Sequence, residues 1–176
     1  MKQSLMVMFT LIVLSLCVSW QAHAARYALV IGNGDYPEYR KGVNELTKLS
    51  KPESDARAIA NLLQKYNFEL VDDEGRDKVL LNADQEEMDQ AVNQFINKLK
   101  ASPGSQGVFY FSGHGVYLND LLKEKNSANY LLPVKKNFSA KSPERFKYNA
   151  LNAHEMVERL GNTDSQVLVL LDACRD

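Results

Sequence analysis

The chain has 176 residues, 45% of them hydrophobic, with 21 basic against 22 acidic side chains, three histidines and two cysteines. That is one domain's worth of chain, enough to bury a real core. The balanced charge argues against an electrostatic nucleic-acid binder, two cysteines exclude a disulfide-rich scaffold, and three histidines leave little for a His/Cys metal cluster.

Lys2 precedes an apolar stretch, Leu5 to Val18, broken by Thr10 and Ser15, and Ala22-His23-Ala24 closes it. A basic start, an apolar middle and a small-x-small end predict a secretory signal peptide over residues 1–24. The stretch is short for a membrane span of about 20 residues. The reading therefore leaves no membrane span after cleavage, with an uncleaved anchor as the alternative. A lipoprotein form would use Cys17, but Leu16 stands where a small residue is expected. Cleavage leaves residues 25–176, an exported domain, periplasmic or secreted, with Cys174 as its single cysteine. Exported thiols tend to be oxidised or paired. A lone one is either buried and inert or kept for its reactivity.

Ala28-Leu29-Val30-Ile31 reads as a strand buried on both faces, closed by a turn at Gly32-Asn33-Gly34. Residues 35–51 are polar and aperiodic, so they read as a loop. Pro52 opens a helix whose apolar face is Ala56, Ile59, Ala60, Leu63 and Tyr66. Phe68 to Val71 reads as a second strand, and Asp72 to Lys78 as a solvated, charged turn. Asn82 and Gln85 resemble a capping box ahead of a second helix, which carries Met88, Ala91, Val92, Phe95, Ile96 and Leu99 and stops at Ser102-Pro103-Gly104.

Val108 to Phe111 is a third buried strand. Tyr130 to Val134 is a short one that Pro133 pushes to an edge or an end. Asn152 and Glu155 form another possible capping box, before a helix with Gly161 as its C-cap. Val167 to Leu171 is a last buried strand. Apolar strands alternating with amphipathic helices give the fold class: α/β, a three-layer sandwich with a mainly parallel central sheet. In such sheets the chemistry sits at the carboxyl ends of the strands.

Three strand ends follow from this. After the first, Pro37 stands where the third glycine of a G-x-G-x-x-G would be, which sets nucleotide binding aside. After the third comes Ser112-Gly113-His114-Gly115, where glycines let the backbone turn sharply; alone, the motif fits a turn histidine equally well. After the last comes Asp172-Ala173-Cys174-Arg175-Asp176. Cys174 reads either as a thiol continuing the strand or as a nucleophile with His114 as its base, since both sit at one edge of the sheet. His154, near a helix start, reads as an exposed or cap-region residue, and Asp35 and Glu38 lie in the loop beside the presumed cleft.

Taken together, Phe-Ser-Gly-His-Gly at 111–115, Asp-Ala-Cys-Arg-Asp at 172–176, the first strand Tyr27 to Asn33, and Leu80-Leu81-Asn82-Ala83 resemble the caspase-like cysteine peptidases over residues 26–176. That family places a histidine upstream of a Q-A-C-[RQG]-G cysteine motif. The resemblance implies a caspase-like, haemoglobinase-type fold and a cysteine endopeptidase. It implies Cys174 as nucleophile, His114 as general base and acid, and the backbone N–H groups of Gly115 and Cys174 as the oxyanion hole. No third catalytic side chain is obvious.

True caspases carry glutamine two residues before the cysteine, whereas Asp172 stands there, as an acid does in metacaspases and paracaspases. Asp55 looks like the second acid of their pocket and Ser112 like their serine two residues before the histidine. Asp55 also reads as a first-turn acid facing the helix dipole. The implied partner is a protein or peptide with Arg or Lys before the cleaved bond, because paired carboxylates favour a guanidinium and repel an acidic substrate. The resemblance implies no cofactor and no metal; some metacaspases depend on calcium, but the sequence shows no dedicated calcium loop. The family carries further chain after the cysteine, so the domain reads as truncated just after its nucleophile. A catalytically incompetent, caspase-like binding module is the alternative reading.

Overall fold

The structure is a computed structural model, and it describes residues 24–36, 47–71, 79–118, 128–134 and 148–175. The proposed signal peptide up to residue 23, the charged 72–78 segment and Glu38 lie outside them. In chain order the elements are β1 (Arg26–Gly32), α1 (Pro52–Lys65), β2 (Glu69–Leu70), β3 (Leu80–Leu81), α2 (Gln85–Ala101), β4 (Gln106–Leu118), β5 (Ala128–Leu131), β6 (Leu151–Asn152), α3 (Ala153–Gly161) and β7 (Gln166–Arg175).

One seven-stranded sheet runs β2-β1-β4-β5-β6, with β3 also on β1 and β7 also on β4. The pairs of β1 with β2, β3 and β4, and of β4 with β7, are parallel; β4–β5 and β5–β6 are antiparallel. The parallel part is the strand–helix alternation of the sequence, because parallel neighbours need a crossover between them.

Side-chain alternation sorts the two faces. Ala28, Val30, Val108 and Tyr110 point to one side and bury against Ala56 and Ala60 of α1. Leu29, Ile31, Phe109 and Phe111 point to the other and bury against α2 and α3, where Met88, Phe95, Leu99, Met156 and Leu160 close the core. The three-layer reading therefore holds. Gly32 lets α1 approach the end of β1, since a Cβ there would stand 2.5 Å from Pro52 O.

Three local expectations are corrected. The cap of α2 is Asp84, not Asn82: Asp84 accepts from Glu87 N, and the Glu87 side chain accepts from Asp84 N. Asn82 instead turns its side chain back to β1 and accepts from Gly34 N and Asp35 N, each at 2.9 Å. The cap of α3 is Asn152 as expected, but Gly161 is its last helical residue and Asn162 its C-cap. Finally, β7 is not buried on both faces: Leu168, Leu170 and Leu171 are 55%, 39% and 44% exposed. Val167 and Val169 meet the α2/α3 core, whereas α1 covers β1 and β4 and stops short of β7.

Candidate active site

Strand β4 runs through the Ser-Gly-His-Gly motif rather than ending before it, so His114 is a strand residue and not a turn residue. Strand β7 likewise carries Asp172 and Cys174 within its span. The two strands are parallel and in register, with Ser112 opposite Asp172, Gly113 opposite Ala173, His114 opposite Cys174 and Gly115 opposite Arg175. Neighbouring strands lie about 4.8 Å apart. The fold therefore brings His114 and Cys174, 60 positions apart in sequence, side by side.

His114 is buried, with 7% of its surface exposed. Its Nε2 lies 2.8 Å from the Thr47 carbonyl. A carbonyl only accepts, so Nε2 carries the hydrogen, and in the neutral ring Nδ1 keeps the lone pair. This tautomer is assigned from the partner. Among the described residues a main-chain carbonyl, not a carboxylate, holds the ring nitrogen, and residue type in the sequence carries no signal for it.

The segment that holds Thr47 is tied to the end of β1. Gly34 O accepts from Tyr36 N and from Leu49 N, both at 2.9 Å. Asp35 pairs with Lys48 at 2.6 Å on the exposed surface.

Beneath His114 sits Asn33, fully buried and fully used. Its Oδ1 accepts from Ala83 N at 2.9 Å, and its Nδ2 donates to Leu132 O at 3.1 Å. Its backbone N–H donates to Ser112 O. One amide thus joins the carboxyl end of β1 to the start of α2 and the end of β5. The end of β1 at Gly32 was legible in the sequence, but not the use of this side chain.

The three expected pocket residues all act on a fourth, Tyr110, which the sequence pattern marked only as strand core. Tyr110 Oη donates to Asp172 Oδ2 at 3.4 Å. Burial pushes the Tyr110 phenol above its ordinary value; a hydrogen bond with Ser112 opposes this, while the charges of Asp172 and then Asp55 add to it. So Asp55, from the first turn of α1, and Asp172, from β7, act on one phenol beside Ser112. Period-two alternation from Ser112 back to Tyr110 was the available signal. His154 is exposed, and its N–H bonds to the Asn152 cap.

Among the described residues no group of three or more His, Cys, Asp or Glu side chains could hold a metal ion. Nor is any described helix long and apolar enough to cross a membrane.

The family model of the caspase domain, Peptidase C14, matches residues 25–176. No curated protein matches. Among solved structures, the crystal structure of a protein from Geobacter sulfurreducens superposes with a TM-score of 0.59 at 20% identity, over 85% of this chain and 50% of that one. At that identity the likeness speaks for the fold. The chain spans half the length of that relative.

Proposed function

The chain belongs to the caspase-domain family of peptidases, and from that membership we propose that it acts as a cysteine endopeptidase that cleaves after Arg or Lys. The observation that supports this best is the register of β4 against β7, which sets Cys174 opposite His114.

In the proposed reaction His114 Nδ1 takes the thiol proton of Cys174. The sulfur bonds to the carbonyl carbon of the substrate, and the developing oxyanion is held by the N–H groups of Gly115 and Cys174. The imidazolium then gives its proton to the leaving amine as the C–N bond breaks. Water, deprotonated by the same imidazole, hydrolyses the thioester and restores the thiol. Thr47 O keeps the proton on Nε2 and so keeps Nδ1 basic at the start of the cycle.

For the residue before the cleaved bond, Asp55 and Asp172 supply two negative charges around Tyr110, with Ser112 beside them. That arrangement suits a guanidinium or an ammonium and opposes a carboxylate. Export to the periplasm or beyond belongs to the same reading and rests on the leader-like first 24 residues.

The test is cleavage of a fluorogenic peptide ending in arginine against one ending in aspartate, with the Cys174→Ala variant as control. The expected result is cleavage of the arginine peptide and none by the variant. Cleavage that persists in Cys174→Ala overturns the assignment. Preference for the aspartate peptide overturns the specificity alone. A folded chain that neither cleaves nor is alkylated by an arginyl chloromethyl ketone is a binding module instead.

A further inference from the structure

We propose that Tyr36 is a positioning residue for His114: its hydroxyl stands in for the strand partner that β1 no longer supplies, and its ring braces the imidazole. The kinetic part of this rests on the peptidase reading; the geometric part does not.

In a parallel ladder a residue sends its N–H and C=O to the same edge, and residues two apart share that edge. Ser112 O takes Asn33 N–H at 2.9 Å on the β1 edge of β4. Two residues on, His114 N–H faces the same edge, but β1 has ended at Gly32. The chain has turned, and Gly34 O is already occupied by Tyr36 N and Leu49 N. The acceptor His114 finds is a side chain, Tyr36 Oη, at 3.0 Å.

The phenol passes its own proton on to Leu132 O at 2.9 Å. Leu132 N–H returns to His114 O at 3.0 Å. His114 N–H, the Tyr36 hydroxyl and both polar groups of Leu132 therefore form a closed circuit around the main chain of His114.

The same side chain touches the ring. The centroids of Tyr36 and His114 are 4.6 Å apart and the planes tilt by 60°, within the range of favourable aromatic contact. Thr47 O holds Nε2. Backbone and ring of His114 are thus both fixed, and the main-chain bond to Tyr36 sets where the ring meets Thr47 O. Gly113 fits the same account, because a Cβ there would come within 2.7 Å of Tyr36 Oη. Tyr36 is 2% exposed, so water does not compete for its hydroxyl.

The test compares the full chain with Tyr36→Phe, which keeps the ring and removes the hydroxyl, and Tyr36→Leu, which removes both. Long-range 1H–15N spectra of the His114 ring should show one Nε2–H tautomer in the wild type and mixed tautomers in Tyr36→Phe. On the arginine peptide, Tyr36→Phe should lower kcat about ten-fold with KM within about two-fold, and Tyr36→Leu should lower kcat further, because small misplacements of a catalytic group cost rate more than binding. A folded Tyr36→Phe protein with an unchanged ring spectrum overturns the proposal whatever its rate. If the wild type cleaves nothing, the peptidase reading falls and the ring spectrum alone decides the positioning. Should neither variant fold, the wild type still decides it: absence of a nuclear Overhauser contact between the Tyr36 and His114 rings overturns the proposal.

Discussion

At the scale of single residues, the proposed chemistry and its support are carried by different side chains. In the proposed peptidase Asp172 is an acid of the basic-residue pocket, and Tyr110 ties it to the buried strand. Asp172→Asn removes a charge and keeps the shape, so it should raise KM for an arginine peptide about ten-fold, equivalent to about 1.4 kcal/mol, and leave the melting temperature nearly unchanged. Steady-state kinetics beside a thermal melt check both halves. Asn33 is the opposite case. Asn33→Leu should leave function-bearing residues in place but orphan the buried Ala83 N–H, which now donates to Asn33 Oδ1. The expected loss is about 2 kcal/mol in urea denaturation. Residue identity in the sequence singled out Cys174, His114 and Asp172 as candidates, because each is a titratable type just after an apolar strand-like run. It could not make Thr47 legible, since what Thr47 supplies is a carbonyl that every residue has.

At the scale of elements, periodicity located all three described helices and all of the longer strands. Where it misplaced an end, a competing local bond explains the shift. Asn82 has the composition of a helix cap, but its side chain is spent on Gly34 N and Asp35 N. The capping role passes to Asp84, whose carboxylate and the Glu87 side chain bond reciprocally. Asp84→Ala should therefore lower stability by about 1 kcal/mol, measured as the shift in urea midpoint. The apolar run in β7 misled in another way. Five consecutive apolar residues read as a strand covered on both faces, but only one face of β7 meets a helix layer, and Leu168 and Leu170 lie open on the other. Hydrophobicity reports that a strand can be buried. It does not report how far the covering helix reaches.

At the scale of the whole molecule, the buried phenols of Tyr36 and Tyr110 make stability depend on alkaline pH. Burial pushes the Tyr36 phenol up, with hydrogen bonds from His114 and Asn33 opposing it. Burial also raises Tyr110, with Asp172 and Asp55 adding to the effect. Unfolded tyrosines ionise near about pH 10. Above that pH the unfolded chain releases these protons while the folded chain keeps them, so stability falls as pH rises. The slope is up to about 1.4 kcal/mol per pH unit for each phenol, and neither contributes to the slope near neutrality. Denaturation midpoints at pH 8, 9.5 and 10.5 should fall in that order, and Tyr36→Phe should flatten the decline.

The sequence by itself determined the α/β class, the order of the main elements and the residue types of the proposed catalytic pair. These depend on local periodicity and on side-chain chemistry, both written along the chain. Only the tertiary structure decided that His114 lies opposite Cys174 rather than merely at the same edge, because register is a relation between two strands. Only it decided that the imidazole leans on Thr47 O and Tyr36, because a residue freed of its strand partner takes whatever polar group the folded chain brings to it.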